Sequence, residues 1–81
     1  MLTHSPRELA LFVINQRKKL KLSQAKVGKL VGIKQQTISE FELRPESTKL
    51  DTLFRILSAL NLDLKLEPKG GEEYSNWKEE W

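Results

Sequence analysis

The chain has no cysteine, a single histidine, and no apolar run near the ~20 residues that a membrane helix needs. The first absence excludes a disulfide framework, a thiolate nucleophile and a Cys-based zinc site, and it suits a reducing compartment. The histidine, His4, precedes the first helix signal, and no nucleophile with a base and no carboxylate pair is recognisable. His4 therefore reads as an exposed polar residue and the chain as not an enzyme, with no cofactor or metal implied. Residues 1–6 lack the basic-then-apolar layout of a signal peptide, so a soluble cytoplasmic protein is expected. A chain of 81 residues makes one domain that buries only about 60–65% of the surface its unfolded form exposes, and a second subunit would help it.

The most informative scarcity is that of negative charge. Between Glu8 and Glu40 there is no acidic residue, while Arg17, Lys18, Lys19, Lys21, Lys26, Lys29 and Lys34 all fall in that interval. A merely solvated surface mixes signs, so this run reads as a phosphate-facing surface. The net charge of +3 conceals an asymmetry, because residues 70–81 hold one Lys against four Glu. The body is basic and the tail acidic.

Within the basic interval, Leu22 to Phe41 reads as two short helices joined by a turn. Ser23 is a good N-cap for a helix from Gln24 to about Val31, which Gly32 ends. Val27, Leu30 and Val31 form its expected buried stripe, and Gly28 beside them leaves room for a crossing helix. The second helix, from Lys34 or Gln35 to Glu42, turns Ile38 and Phe41 inward and leaves Lys34, Gln35, Gln36, Thr37 and Ser39 outside. This is a helix-turn-helix arrangement, which places the first turns of its second helix in a DNA major groove. A Gln amide donates and accepts in one plane, matching the N6 and N7 edge of adenine. Lys34 can donate to guanine O6 or N7, and Thr37 can offer a methyl contact or a phosphate hydrogen bond. The competing reading of the amide row is a solvated helix face; the charge run decides for DNA.

The residues LSQ...VGKLVGIKQQTIS resemble the Xre or lambda-repressor type of helix-turn-helix domain, and GIKQQTISEFELRP followed by an apolar helix and a short strand is similar to HipB-type antitoxins. The resemblance spans about Pro6 to Leu66. It implies a mainly α domain of four to five helices, residues 1–69, with one short C-terminal strand that pairs across a dimer. It also implies a HipA-like serine/threonine kinase toxin as partner and a palindromic operator of the chain's own operon as ligand. Carried over by position, base contacts fall on Lys34, Gln35, Gln36 and Ser39, and a phosphate contact at the start of the helix that Ser23 caps falls on Gln24. Ser23, Thr37, Arg17, Lys26 and Arg44 complete the expected phosphate set. Two departures stand out: Gly28 occupies a position where the family usually has Ala, and Leu43-Arg44-Pro45 replaces the common Gly.

Ser5, Pro6 and Glu8 spell N-cap, first helical position and capping box for a helix reaching about Leu20. Leu9, Phe12, Val13 and Leu20 fit its core face, while Leu11 and Ile14 fall partly off it, at the core edge or on a dimer seam. Residues 43–47 form a turn around Pro45. Thr48 or Ser47 is the expected cap of a last helix, whose Leu50, Leu53, Phe54, Leu57 and Leu60 mark a core face ended by Asn61. Leu62, Leu64 and Leu66 then alternate with charged residues, a strand pattern whose missing partner is supplied most simply by the same strand of a second subunit. The tail, residues 70–81, has no usable periodicity and is expected to be flexible. It nevertheless carries Tyr74, Trp77 and Trp81. Insertion of Trp77 or Trp81 into a partner and folding back on the domain are both open. Two functional rivals also remain: a stand-alone regulator without a toxin, and an adaptor whose basic face docks an acidic protein.

Overall fold

Ser5 and Pro6 start the first helix as their chemistry dictates. In the computed structural model, which describes residues 2–69, helix α1 (Pro6–Lys19) has Pro6 in its first turn, and the Ser5 hydroxyl accepts from the Glu8 N–H at 3.1 Å. The Glu8 carboxylate reaches one residue further back than in a capping box, accepting from the His4 N–H at 2.7 Å. Helices α2 (Gln24–Val31) and α3 (Gln35–Leu43), a 3-10 turn (Pro45–Ser47) and α4 (Leu50–Ala59) follow. The structure is thus mainly α. Helix α2 packs on α3 and α4, and α1 packs on α3 and the 3-10 turn.

The core gathers Ala10 and Val13 from α1, Val27 from α2, Ile38 and Phe41 from α3, and Leu53, Ile56, Leu57 and Leu60 from the last helix and its end. Leu9, Leu22, Ile33, Ala59 and Leu62 pack against its edge. Several residues expected inside are not. Leu30 is 52% exposed, because the buried side of α2 is centred on Val27, Gly28 and Val31, about a quarter turn away. Leu20 lies past the end of α1 and is exposed. In α4 the inward face is set by Leu53, Ile56 and Leu57, which leaves Phe54 about 110° from its centre and Leu50 at the open first turn. Both are exposed, Leu50 to 70%.

Three helix ends share one device. After α1, Lys21 adopts a left-handed conformation (φ 60°), and the N–H groups of Lys21 and Leu22 close on the carbonyls of Lys18 and Arg17 at 2.9 and 3.1 Å. Asn61 (φ 58°) ends α4 in the same way, its N–H and that of Leu62 reaching Ser58 and Leu57 at 3.2 and 2.9 Å. Both are Schellman closures, which satisfy otherwise unpaired carbonyls. Gly32 (φ 71°) turns the chain out of α2, and the Ile33 N–H donates to the Gly28 carbonyl at 2.8 Å. Gly28 is required by this turn and not by a crossing helix: a Cβ there would run into the carbonyl oxygen of Ile33. The glycine's helix-propensity cost of about 1 kcal/mol therefore accompanies a close approach of backbone to backbone.

Two expectations near the C-terminal end change. The α4 N-cap is Lys49, with no side-chain cap, because the Ser47 hydroxyl instead donates to the Arg44 carbonyl at 3.1 Å within the 3-10 turn. Residues 62–68 form neither helix nor strand within the chain. Leu62 is half-buried against the core, whereas Leu64 and Leu66 are exposed. Alternating side chains alone cannot make a strand, since the backbone needs a neighbour to complete a ladder. Residues 2–4 run beside this segment without forming one.

Candidate nucleic-acid interface

The α2–α3 unit is held from behind by a charged lock. The Arg17 guanidinium meets the Glu42 carboxylate twice, Nε to Oε2 at 2.7 Å and Nη2 to Oε1 at 3.1 Å, and its Nη1 donates to the Leu22 carbonyl at 2.9 Å. The Gln24 amide adds a hydrogen bond to Glu42 Oε1 at 2.9 Å. Exposures of 13% for Arg17 and 9% for Glu42 place this network inside the fold. Arg17 therefore leaves the expected phosphate set: its donors are spent on α3 and on the chain end of α1. Gln24 keeps its place at the start of α2, one side committed to Glu42.

Arg7 completes the lock from α1. Its guanidinium donates to the carbonyls of Glu42 and Leu43 at 3.2 and 2.7 Å, closing the C-terminal end of α3 with positive charge, where both hydrogen bonding and the helix dipole favour a cation. Neither Arg7 nor Glu42 was singled out from the sequence. Glu42 had a local signal, since it follows Phe41 and stands four residues after Ile38, on the buried side of its helix.

The front of the unit is open. Lys34 is the N-cap of α3 in an extended conformation (φ −67°, ψ 146°), without a side-chain cap, so the first turn of α3 faces outward uncapped. Lys34, Gln35 and Gln36 are exposed; Thr37 and Ser39 are half-buried at the flanks, and Ile38 and Phe41 anchor the back. At the start of α2 the Ser23 hydroxyl accepts from the Lys26 N–H at 3.0 Å, and the exposed Lys26 side chain stands beside it. Arg44 is exposed at the entry to the 3-10 turn. Lys34, Gln35, Gln36, Thr37 and Ser39 thus lie on α3 and its N-cap, Ser23, Gln24 and Lys26 at the start of α2, and Arg44 at the C-terminal end of α3. Among the described residues no cluster of metal-ligating side chains occurs, and no helix is long and apolar enough to cross a membrane. Trp77 and Trp81 lie outside the described residues.

Among the described residues, four helices around a tight α2–α3 turn, with an exposed amide row on the second helix of the pair, define a helix-turn-helix protein. A family model described as helix-turn-helix matches residues 13–66. The antitoxin HipB of Escherichia coli K12 is 41% identical over 63 residues, 78% of this chain and 72% of that protein. The antitoxin HigA1 of Mycobacterium tuberculosis H37Rv is 43% identical over 60 residues, but these are only 40% of its length. Among solved structures, chains of a HipA-HipB-O2-O3 complex and of a HipB-O4 20mer complex superimpose with TM-scores of 0.83 at 38% identity, over 85% of this chain and 97% of theirs. The chain belongs to the helix-turn-helix family, in its HipB-type antitoxin branch.

Proposed function

We infer that the chain is a sequence-specific DNA-binding repressor and the antitoxin of a HipA-like kinase toxin, acting in the cytoplasm on the operator of its own operon. The observation that carries this reading is the exposed Lys34-Gln35-Gln36 end of α3, held rigidly by a buried back and set within a run of bases free of acid. The complexes of HipB with HipA and with O2-O3 support both partners. Its role is one of binding, not catalysis. Phosphates would be met by Ser23, Gln24, Lys26, Thr37 and Arg44, and bases by Lys34, Gln35, Gln36 and Ser39. Replacement of Gln35 by Ala is expected to weaken binding to the operator by about 1–3 kcal/mol with little change on unrelated duplexes. Fluorescence titration against both DNAs checks this, and an equal loss on the two would remove Gln35 from base reading.

The working form is a homodimer. Leu62, Leu64 and Leu66 pair with the same segment of a second subunit, and a two-fold axis then sets two α3 helices about 34 Å apart on successive turns of a palindrome. The exposed Leu64 and Leu66 support this, since a paired strand would cover them. The acidic tail with Trp77 and Trp81 serves the toxin. Capture of the toxin by the full chain, and its loss with a chain ending at Pro68, is the expected outcome of a pull-down; equal capture by both would assign the toxin to the folded domain.

A further inference from the structure

The outward face of α3 carries one more polar side chain beside Lys34, Gln35, Gln36 and Ser39. At 100° per residue the buried Ile38, Phe41 and Glu42 define the back of the helix, and Gln36 and Glu40, one turn apart, stand opposite it with Ser39 at their side. Glu40 is exposed, and among the described residues no ion pair or side-chain hydrogen bond engages its carboxylate. Lys49 borders the same shallow recess, with Thr37, Ser47, Thr48 and Thr52, yet does not pair with it. Glu40 is the first acid after Glu8, placed at the outermost point of a helix that would approach a polyanion.

A carboxylate in that position repels phosphates and weakens binding to DNA in general, unless it receives a hydrogen bond from a base edge. Ionised, it can only accept. In the major groove cytosine presents its N4 amino group as donor. Adenine presents N6 with the N7 acceptor beside it, and guanine and thymine turn acceptors toward the same space. One base thus satisfies the carboxylate without meeting it with a lone pair.

Building on the reading of the chain as a DNA-binding repressor, we propose that Glu40 is a specificity-determining residue that accepts from the N4 amino group of a cytosine in each half-site and rejects guanine and thymine there by repulsion. Its neighbour Gln36, one turn nearer the N-terminus of α3, reads an adjacent base pair. Glu40 contributes discrimination at the expense of total affinity, the opposite balance to the surrounding lysines.

The test is selection of bound sites from a pool of randomised duplex DNA by the full-length wild-type chain, Glu40→Ala and Glu40→Gln, followed by titration on random duplex. Wild type is expected to enrich cytosine at one symmetry-related pair of positions. Glu40→Ala should lose that preference about five- to tenfold, keep the other positions, and bind random duplex more tightly. Glu40→Gln should move the preference toward adenine, because an amide both donates and accepts. A defined wild-type site that Glu40→Ala leaves unchanged at every position overturns the role of Glu40 alone. If wild type retains no duplex from the pool, the DNA-binding reading falls and this inference falls with it.

Discussion

Glu42→Ala is expected to lower the free energy of unfolding by about 3–5 kcal/mol, read as a fall in the urea midpoint at unchanged slope. The magnitude comes less from the attraction between Glu42 and Arg17 than from what its loss leaves behind. Glu42 receives hydrogen bonds from the Arg17 Nε and Nη2 and from the Gln24 amide. Without it, a guanidinium only 13% exposed keeps its charge and loses its counterion. A guanidinium cannot escape by releasing its proton, so the desolvation cost falls on the fold. A domain of this size is stable by roughly 4–12 kcal/mol, so at the lower end of that range the variant sits close to its unfolding midpoint. The double replacement Arg17→Met with Glu42→Leu is expected to recover most of the loss, because two apolar side chains of similar volume need no partners. A single variant that loses less than about 1 kcal/mol would show that water reaches the pair and that it does not hold α3 in place.

Affinity for duplex DNA is expected to fall about 10³-fold between 50 and 200 mM salt, with a logarithmic slope of about −5. The argument counts cations. Lys26 near the start of α2, Lys34 at the N-cap of α3 and Arg44 at its C-cap are exposed, three on each subunit of a dimer. Each neutralised phosphate releases its condensed counterion, and six of them give a slope near that value. Arg17 does not enter the count, because its charge is closed inside the fold. Titrations of operator and unrelated duplex across that salt range measure the slope. A flat response would move the chain to the class of protein adaptors whose basic face meets an acidic partner. Since the two perturbations act on different links, Glu42→Ala should reduce binding through the population of folded chain, while salt acts with the fold intact.

The starts of α1 and α2, the α2–α3 turn and the exposed amide row were legible because each is written within a few neighbouring residues. Ser5-Pro6, Ser23-Gln24 and Gly32 carry local backbone chemistry, and Ile38 and Phe41 carry the helical period. The single-stripe reading of α4 failed for a different reason. Leu50 and Phe54 share the chemistry of Leu53 and Leu57, and only the place where α2 lies against α4 decides which side is covered. Periodicity says that a face exists and not how wide it is. Likewise, nothing local separates Arg17 from Lys18 as a phosphate ligand. Its partner Glu42 stands 25 residues away, and the pairing needs α1 and α3 to meet.

By itself, then, the sequence determined the helices found in residues 2–69, the helix ends at Gly32 and Asn61, and the acid-free basic interval between Glu8 and Glu40 that holds Gln35 and Gln36. Those follow from short-range sterics, hydrogen bonding and charge density, which act between near neighbours in the chain. The tertiary structure alone decided that Arg17 and Arg7 serve the fold, that Gly28 makes room for the Ile33 carbonyl, and that Glu40 stands on the outermost line of α3. Those depend on which surfaces come together in space, where burial turns a charge from a ligand for phosphate into a partner that another helix cannot do without.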